Sequence, residues 1–167
     1  MKKLLPLLVL ITLFGNCKSQ KEMSTANNTS ADKKLLSLQT FACRGFCPVY
    51  TLTAYHNGLL EYNGEKFVQK IGVAKAMLTP KELAQLRIET TKADLWQYDD
   101  DIKSQVMDAP YATLMVWKDG KTKNVRGSID RPKPLLELEK LMKNIAEAHG
   151  FKVLNGVNPN EPVKGKN

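Results

Sequence analysis

Two cysteines four positions apart, Cys43 and Cys47, are the residues whose types and spacing could support chemistry. The thiols could close a small disulfide loop around Gly45, exchange a disulfide with a partner, or bind a soft metal such as copper. Arg44 lies between them and could make a neighbouring thiolate more reactive. Which of these roles applies depends on whether the protein is exported to an oxidising compartment and on whether a helix or a strand follows Cys47.

The N-terminal segment predicts export. Lys2 and Lys3 precede an apolar run, residues 4–14, that is typical of the core of a signal peptide. This run is too short to cross a bilayer, which takes about 20 residues. Residues 18–34 are polar and lack periodicity, so we expect a flexible tether there. The predicted organisation is a signal peptide over 1–17, a tether over 18–34, a single domain over 35–150 and a polar tail over 151–167.

The end of the apolar run resembles a bacterial lipoprotein signal in which Cys17 is the acylated residue. Phe14 and Asn16 depart from that pattern, in which Leu and a small residue are common at these positions. Lys18 follows the cysteine, which resembles lipoproteins sorted to the outer membrane. The resemblance implies a lipid anchor at Cys17 and a domain that faces the periplasm.

The net charge of +8 does not indicate a nucleic-acid partner. Residues 35–150 carry 16 Lys and Arg against 14 Asp and Glu, so the excess lies in the two ends of the chain. A surface that follows phosphates requires clustered cations in the folded domain. A mildly basic tether instead suits anionic lipid headgroups.

Export to an oxidising compartment favours a structural disulfide between Cys43 and Cys47. The alternative is a thiol-disulfide oxidoreductase or a copper-handling protein, because Cys-x-x-x-Cys-Pro resembles the copper-chaperone branch of the thioredoxin superfamily. In that fold the motif opens a helix, whereas residues 49–55 are β-branched and aromatic and predict a strand. The sequence offers only His56 and His149 as histidine ligands. We expect neither a metal nor another cofactor.

Side-chain patterning determines the first hairpin, which turns at Asn57-Gly58. A two-residue loop would place Leu52 and Tyr62 on opposite faces, whereas a three-residue loop with a left-handed Gly58 pairs them. We therefore predict the three-residue loop. One face of the sheet then carries Tyr50, Leu52, Ala54, Leu60 and Tyr62.

Two helices are predicted from capping signals and periodicity. Thr79 begins a capping box, and Pro134 precedes leucines at helical spacing that end near His149. For His149 we expect a favourable charge at a helix C-terminus rather than a ligand role. Lys140, Lys143 and the neighbouring glutamates are predicted to form a solvated face.

These elements predict an α+β fold. The sheet is expected to be mainly antiparallel, with about five to six strands in the order β-β-β-β-α-β-β-α and two helices packed on it. Its second hairpin turns at Asp119-Gly120 between residues 111–117 and 121–127. The first strand of that hairpin is apolar on both faces, which favours a central position.

The connection over residues 97–110 is long enough to suggest a binding surface. Tyr98 and Asp108 lie in it, and with Tyr50 and Tyr62 they are our candidates for such a surface. A glycan- or peptide-binding cleft built on the aromatic residues of the sheet is a further alternative. The simpler interpretation of those aromatic residues is that they form the sheet core.

Beyond its signal, the chain resembles a bacterial lipoprotein domain family of unknown function, domain of unknown function 6438. The resemblance covers roughly residues 35–148 and implies a domain without a known activity. It rests on these positions: Cys43, Gly45, Cys47, Pro48, Tyr50, Asn57, Gly58, Tyr62, Gly64, Gly72, Tyr98, Asp108, Pro110, Asp119 and Gly120.

The sequence shows no histidine-paired serine motif, paired-carboxylate signature or glycine-rich phosphate loop. We therefore expect a membrane-anchored envelope protein with a non-enzymatic binding or interaction domain. The expected partners are the membrane, through the lipid anchor, and an envelope protein or a cell-wall component.

Overall fold

The computed structural model describes residues 33–158. The predicted signal peptide, Cys17 and most of the tether lie outside the described residues, as does the end of the tail. Along the chain, four strands, a helix, two strands and a second helix follow one another in the order that the sequence predicts. Their bounds are β1 Lys34–Thr40, β2 Val49–Tyr55, β3 Leu59–Lys66, β4 Gly72–Met77, α1 Pro80–Ala93, β5 Ala112–Lys118, β6 Lys121–Gly127 and α2 Lys133–Ala148.

The six strands form one antiparallel sheet in the order β4-β3-β2-β1-β5-β6. Its helix-covered face is built from alternate residues of every inner strand, such as Leu38, Leu52 and Leu114, which are completely buried. These residues form one core cluster with Leu86 of α1 and Leu138 of α2. The predicted α+β class, with two helices packed on an antiparallel sheet, is confirmed.

The first hairpin has the predicted register. Leu52 pairs with Tyr62 and Ala54 pairs with Leu60, as the three-residue loop requires. Gly58 has a φ of 89°, a left-handed conformation that a side chain would strain. The period of two along each strand therefore determined both the loop length and the buried face.

The second hairpin turns at Asp119-Gly120, and both residues have positive φ. This is the conformation of a two-residue turn that matches the twist of the flanking strands. β5 has β1 on one side and β6 on the other, so the prediction that it lies inside the sheet is confirmed.

The start of α1 and the end of α2 follow the capping residues. Thr79 accepts from the backbone of Glu82, whose carboxylate accepts in return from the backbone of Thr79, which completes the capping box. α2 ends at Ala148, followed by His149 and by Gly150 with a φ of 80°. Among residues 33–158, neither helix has the length and hydrophobicity needed to cross a membrane.

The chain continues to build the core after α2. Phe151 and Val153 lie beyond the predicted domain end at residue 150, yet both are buried. The Phe151 ring stacks on Tyr62 at 5.3 Å between centroids. The backbone of Val157 then donates to the carbonyl of Phe67, which ties the segment to the start of the β3–β4 loop.

Candidate functional site

Cys43 and Cys47 are joined by a disulfide, with 5.6 Å between their Cα atoms. The backbone is extended from Val49 onward, because β2 begins there. The segment therefore opens a strand, and the helix that follows the motif in copper chaperones is replaced by sheet. Within residues 33–158 no group of three or more His, Cys, Asp or Glu residues is placed to hold a metal ion.

The loop within the disulfide also contacts the long connection between α1 and β5. Arg44, which could have activated a thiolate, instead forms an exposed ion pair with Asp108 at 2.9 Å. Exposed pairs of this kind contribute little to stability, about 0–1 kcal/mol. Asp108 therefore lies on the surface beside the disulfide loop, where the structure brings two parts of the predicted family motif together.

The aromatic candidates occupy different places. Tyr50 and Tyr62 are 1% and 0% exposed, and their ring centroids lie 6.1 Å apart. The two rings therefore contribute to the core rather than to an exposed binding surface. Tyr98 is half-buried and packs against the core just after a short 3-10 helix, Leu95–Gln97. Of these residues, Tyr50 also forms part of a cavity wall.

That cavity lies at the end of the sheet where β1 finishes and β2 and β5 begin, beside the disulfide. Its volume is about 270 Å³. We call it the Arg131 cavity. It is lined by Thr40, Phe41, Cys47, Pro48, Tyr50, Pro110, Tyr111, Ala112, Ile129, Arg131, Leu136, Glu139, Lys143, Val153 and Leu154.

Arg131 is held by the turn between β6 and α2. Its Nε donates to the carbonyl of Ser128 at 2.8 Å, and the hydroxyl of Ser128 donates in turn to the carbonyl of Pro110 at 3.0 Å. Gly127 makes room for the arginine stem, because a Cβ there would lie 2.5 Å from the Cγ of Arg131. The arginine side chain is only 3% exposed, so its position is fixed by its surroundings.

Glu139 and Lys143 of α2 complete a charged cluster with Arg131. The Nη2 of Arg131 donates to one carboxylate oxygen of Glu139, and Lys143 donates to the other at 2.5 Å. Burial alone would raise the pKa of Glu139, but the charges and hydrogen bonds of Lys143 and Arg131 outweigh it and lower the pKa. The carboxylate is therefore ionised at neutral pH, and both of its oxygens are engaged.

Two residues of the cavity wall each have a buried donor with no hydrogen-bond partner within residues 33–158. One is the Nη1 of Arg131 and the other is the hydroxyl of Tyr50. Burial, followed by the charge of Glu139, raises the pKa of Tyr50, so its hydroxyl keeps its proton. An unpaired buried polar group costs about 1–3 kcal/mol, which makes two of them around one cavity unusual.

Two larger clefts lie at the opposite end of the sheet, near Trp117. The first, about 660 Å³, is lined by surface lysines such as Lys33 and Lys34 and is open. The second, about 500 Å³, includes Thr90, whose hydroxyl also lacks a partner among the described residues. A neutral hydroxyl is much cheaper to leave unpaired than a guanidinium. The Arg131 cavity is therefore the stronger candidate for a binding site.

Sequence reasoning missed most of this site. The prediction of a solvated face around Lys140 and Lys143 holds for Lys140, which is exposed, but fails for Glu139, whose side chain is 13% exposed. The signal was present, because Glu139 lies four residues after Leu135 and three before Met142 and so falls within the apolar stripe. A charged residue inside such a stripe requires a buried partner, which is Arg131.

Comparison with known protein families assigns most of the folded part of the chain. The family described as Domain of unknown function (DUF6438) matches residues 34–146, which include every strand and nearly all of both helices. A comparison with curated proteins finds no match. The match spans more than half of the sequence and agrees with the predicted family, so the chain belongs to the DUF6438 family.

Proposed function

We propose that this protein is a lipid-anchored component of the bacterial cell envelope whose domain binds a ligand in the Arg131 cavity without transforming it. The resemblance of residues 1–17 to a lipoprotein signal supports the anchor at Cys17, and the polar segment after it would serve as the tether. The sorting signal at Lys18 supports the outer membrane, with the domain facing the periplasm. An envelope protein or a cell-wall component would supply the ligand.

A single observation carries the binding role. Arg131 and Tyr50 both line one cavity, and each has a buried donor, Nη1 and the hydroxyl, without a partner among the described residues. Pockets that bind small ligands are mostly apolar and contain a few well-placed polar groups of this kind. A bound ligand that accepts from both donors would recover the free energy lost by burying them.

The state of the charged groups favours binding over catalysis. A general base needs a free acceptor near neutral pH, but both carboxylate oxygens of Glu139 already accept from Arg131 and Lys143. Tyr50 cannot accept a proton at neutral pH, because burial raises its pKa and its hydroxyl stays protonated. The cysteine next to the cavity, Cys47, is committed to the disulfide.

Native mass spectrometry of the full-length protein, extracted from membranes in mild detergent, tests the two parts of this proposal separately. We expect a lipid-sized mass on the wild type that is absent from Cys17→Ser. We also expect a retained ligand mass that is lost in Leu136→Trp, because the larger ring would fill the cavity. Leu141→Trp is the matched control, since Leu141 is another half-buried leucine of α2 but lies outside the cavity lining.

Loss of the ligand mass in both tryptophan variants, or its retention in both, would contradict binding in the cavity. A wild-type protein without a lipid mass would contradict the anchor and leave the binding result to be judged separately.

A further inference from the structure

Arg131, Tyr50 and Lys143 offer hydrogen-bond donors in the Arg131 cavity. Arg131 has already used Nε on Ser128 and Nη2 on Glu139, which leaves Nη1. The hydroxyl of Tyr50 is protonated and unpaired within residues 33–158. Lys143 has three donor hydrogens, and the contact with Glu139 uses one of them. A ligand that pairs with these donors must therefore present acceptors.

The charges in the lining leave an excess of one positive charge. Arg131 and Lys143 each contribute one positive charge, and the ionised Glu139 contributes one negative charge. A monoanion would neutralise this excess, whereas a phosphate dianion would reverse its sign in a largely buried setting. Arginine is also the residue best suited to contact the planar oxygens of a carboxylate.

The remaining walls are mainly apolar. They include Ile129, Leu136, Pro48 and Val153, together with Phe41. A volume of about 270 Å³ lies just below the range of about 300–1,000 Å³ usual for small-molecule sites. The cavity therefore suits a small apolar body, or the end of a longer molecule, with a polar head directed at Arg131.

From these three properties we infer that the Arg131 cavity binds a carboxylate carried on a small apolar body, with Arg131 Nη1 and the Tyr50 hydroxyl donating to its oxygens. This inference rests on the proposed binding function and specifies its ligand class. The carboxylate could belong to a free organic acid or to the C-terminus of a peptide, since both present the same group to the two donors.

Thermal unfolding of the full-length protein in non-ionic detergent tests the ligand class. The probes are hexanoate, hexanamide and hexylamine, which share one apolar chain and differ in the charge of the head. A second pair of probes is a short peptide ending in leucine with a free or an amidated C-terminus. We expect the midpoint to rise with the concentration of hexanoate or of the free-carboxylate peptide and to stay constant with the amides and the amine.

Two tyrosine variants test the donors. Tyr50→Phe keeps the buried ring and removes one donor, so we expect the carboxylate to bind about tenfold more weakly. Tyr62→Phe makes the same chemical change outside the cavity lining and should leave the affinity unchanged. Because both variants keep the aromatic core, their binding can be compared in folded protein.

Each outcome has a separate meaning. A response to hexanoate alone indicates a free acid, and a response to the free-carboxylate peptide alone indicates a chain terminus. If hexanamide or hexylamine raises the midpoint as much as hexanoate does, and Leu136→Trp abolishes that response, the cavity binds ligands but the carboxylate inference is wrong. If no probe acts on the wild type, the carboxylate inference is overturned, while retention of another ligand in the mass-spectrometry experiment would still uphold the proposed function.

Discussion

Removing one hydroxyl from each of the two buried tyrosines should change the free energy of unfolding in opposite directions. Tyr50 and Tyr62 lie on the same face of the sheet, and both are almost completely buried. Their hydroxyls differ, because that of Tyr62 donates to the carbonyl of Lys70 at 2.7 Å, whereas that of Tyr50 has no partner among residues 33–158. Replacement by Phe isolates this difference.

The magnitude follows from the two environments. Tyr62→Phe loses one hydrogen bond and should destabilise the protein by about 1 kcal/mol. Tyr50→Phe removes a buried polar group that costs about 1–3 kcal/mol when unpaired, so it should stabilise the ligand-free protein by about that amount. For a domain of this size, 1 kcal/mol corresponds to a shift of about 4 °C in Tm.

The assay is thermal or urea unfolding of wild type and both variants, monitored by circular dichroism without added carboxylate. We expect Tm to rise for Tyr50→Phe and to fall for Tyr62→Phe. With saturating hexanoate, the Tm of the wild type should rise more than that of Tyr50→Phe. The difference in Tm between the two proteins should therefore become smaller. A fall in Tm for Tyr50→Phe as large as that for Tyr62→Phe would refute the reasoning, since it would show that the Tyr50 hydroxyl is already paired.

Three further predictions concern the parts of the fold around the site. Reduction of the Cys43–Cys47 disulfide with a dithiol should lower the free energy of unfolding by about 2 kcal/mol, the chain-entropy value for so short a loop, and urea titration with and without reductant measures it. Gly127→Ala should displace the Arg131 side chain, and isothermal titration should show that hexanoate binding is lost, while Gly120→Ala, which meets nothing within 4 Å but has a φ of 74°, should destabilise without affecting binding. Burial acts to raise the pKa of Glu82, but its hydrogen bonds with Thr79 and His149 outweigh this and lower the pKa below its ordinary value of 4.5. The ionised Glu82 therefore contributes to the free energy of unfolding above pH 4.5, and this contribution is lost as the pH falls through the folded-state pKa. In an acid titration, the free energy of unfolding of Glu82→Gln should fall less than that of the wild type.

The fold could be predicted because its determinants are local. The register of the first hairpin follows from the alternation of Leu52, Ala54, Leu60 and Tyr62 together with a glycine that accepts positive φ. The start of α1 follows from the chemistry of Thr79 and a glutamate three residues later. In each case the interacting groups lie within one hairpin or one helical turn of each other in the sequence.

The site could not be predicted, because its parts meet only through tertiary packing. Tyr50 comes from β2, Arg131 from the turn before α2, and Glu139 from α2 itself. The spacing of residues along the sequence does not show which buried polar groups will find hydrogen-bond partners, or which buried charges will pair. The same holds for Phe151, whose place on Tyr62 depends on where α2 ends relative to the sheet.

The position of β1 in the sheet has a mechanical consequence. The predicted tether would join the domain at the beginning of β1, near Lys34, and the Arg131 cavity lies at the end of the same strand, near Thr40 and Phe41. The two points are separated by the length of one strand, about 20 Å. With an anchor at Cys17, a ligand attached to a fixed structure would pull on the domain along the axis of this strand.

Force in that direction loads β1 in shear. β1 pairs along its length with β2 on one side and β5 on the other, so both hydrogen-bond ladders resist the pull at the same time. An edge strand such as β4 or β6 would instead have only one ladder to resist the same force. If Cys17 carries the proposed lipid anchor, the position of β1 as an inner strand gives this domain the connectivity of a load-bearing link between the membrane and a ligand bound in the cavity.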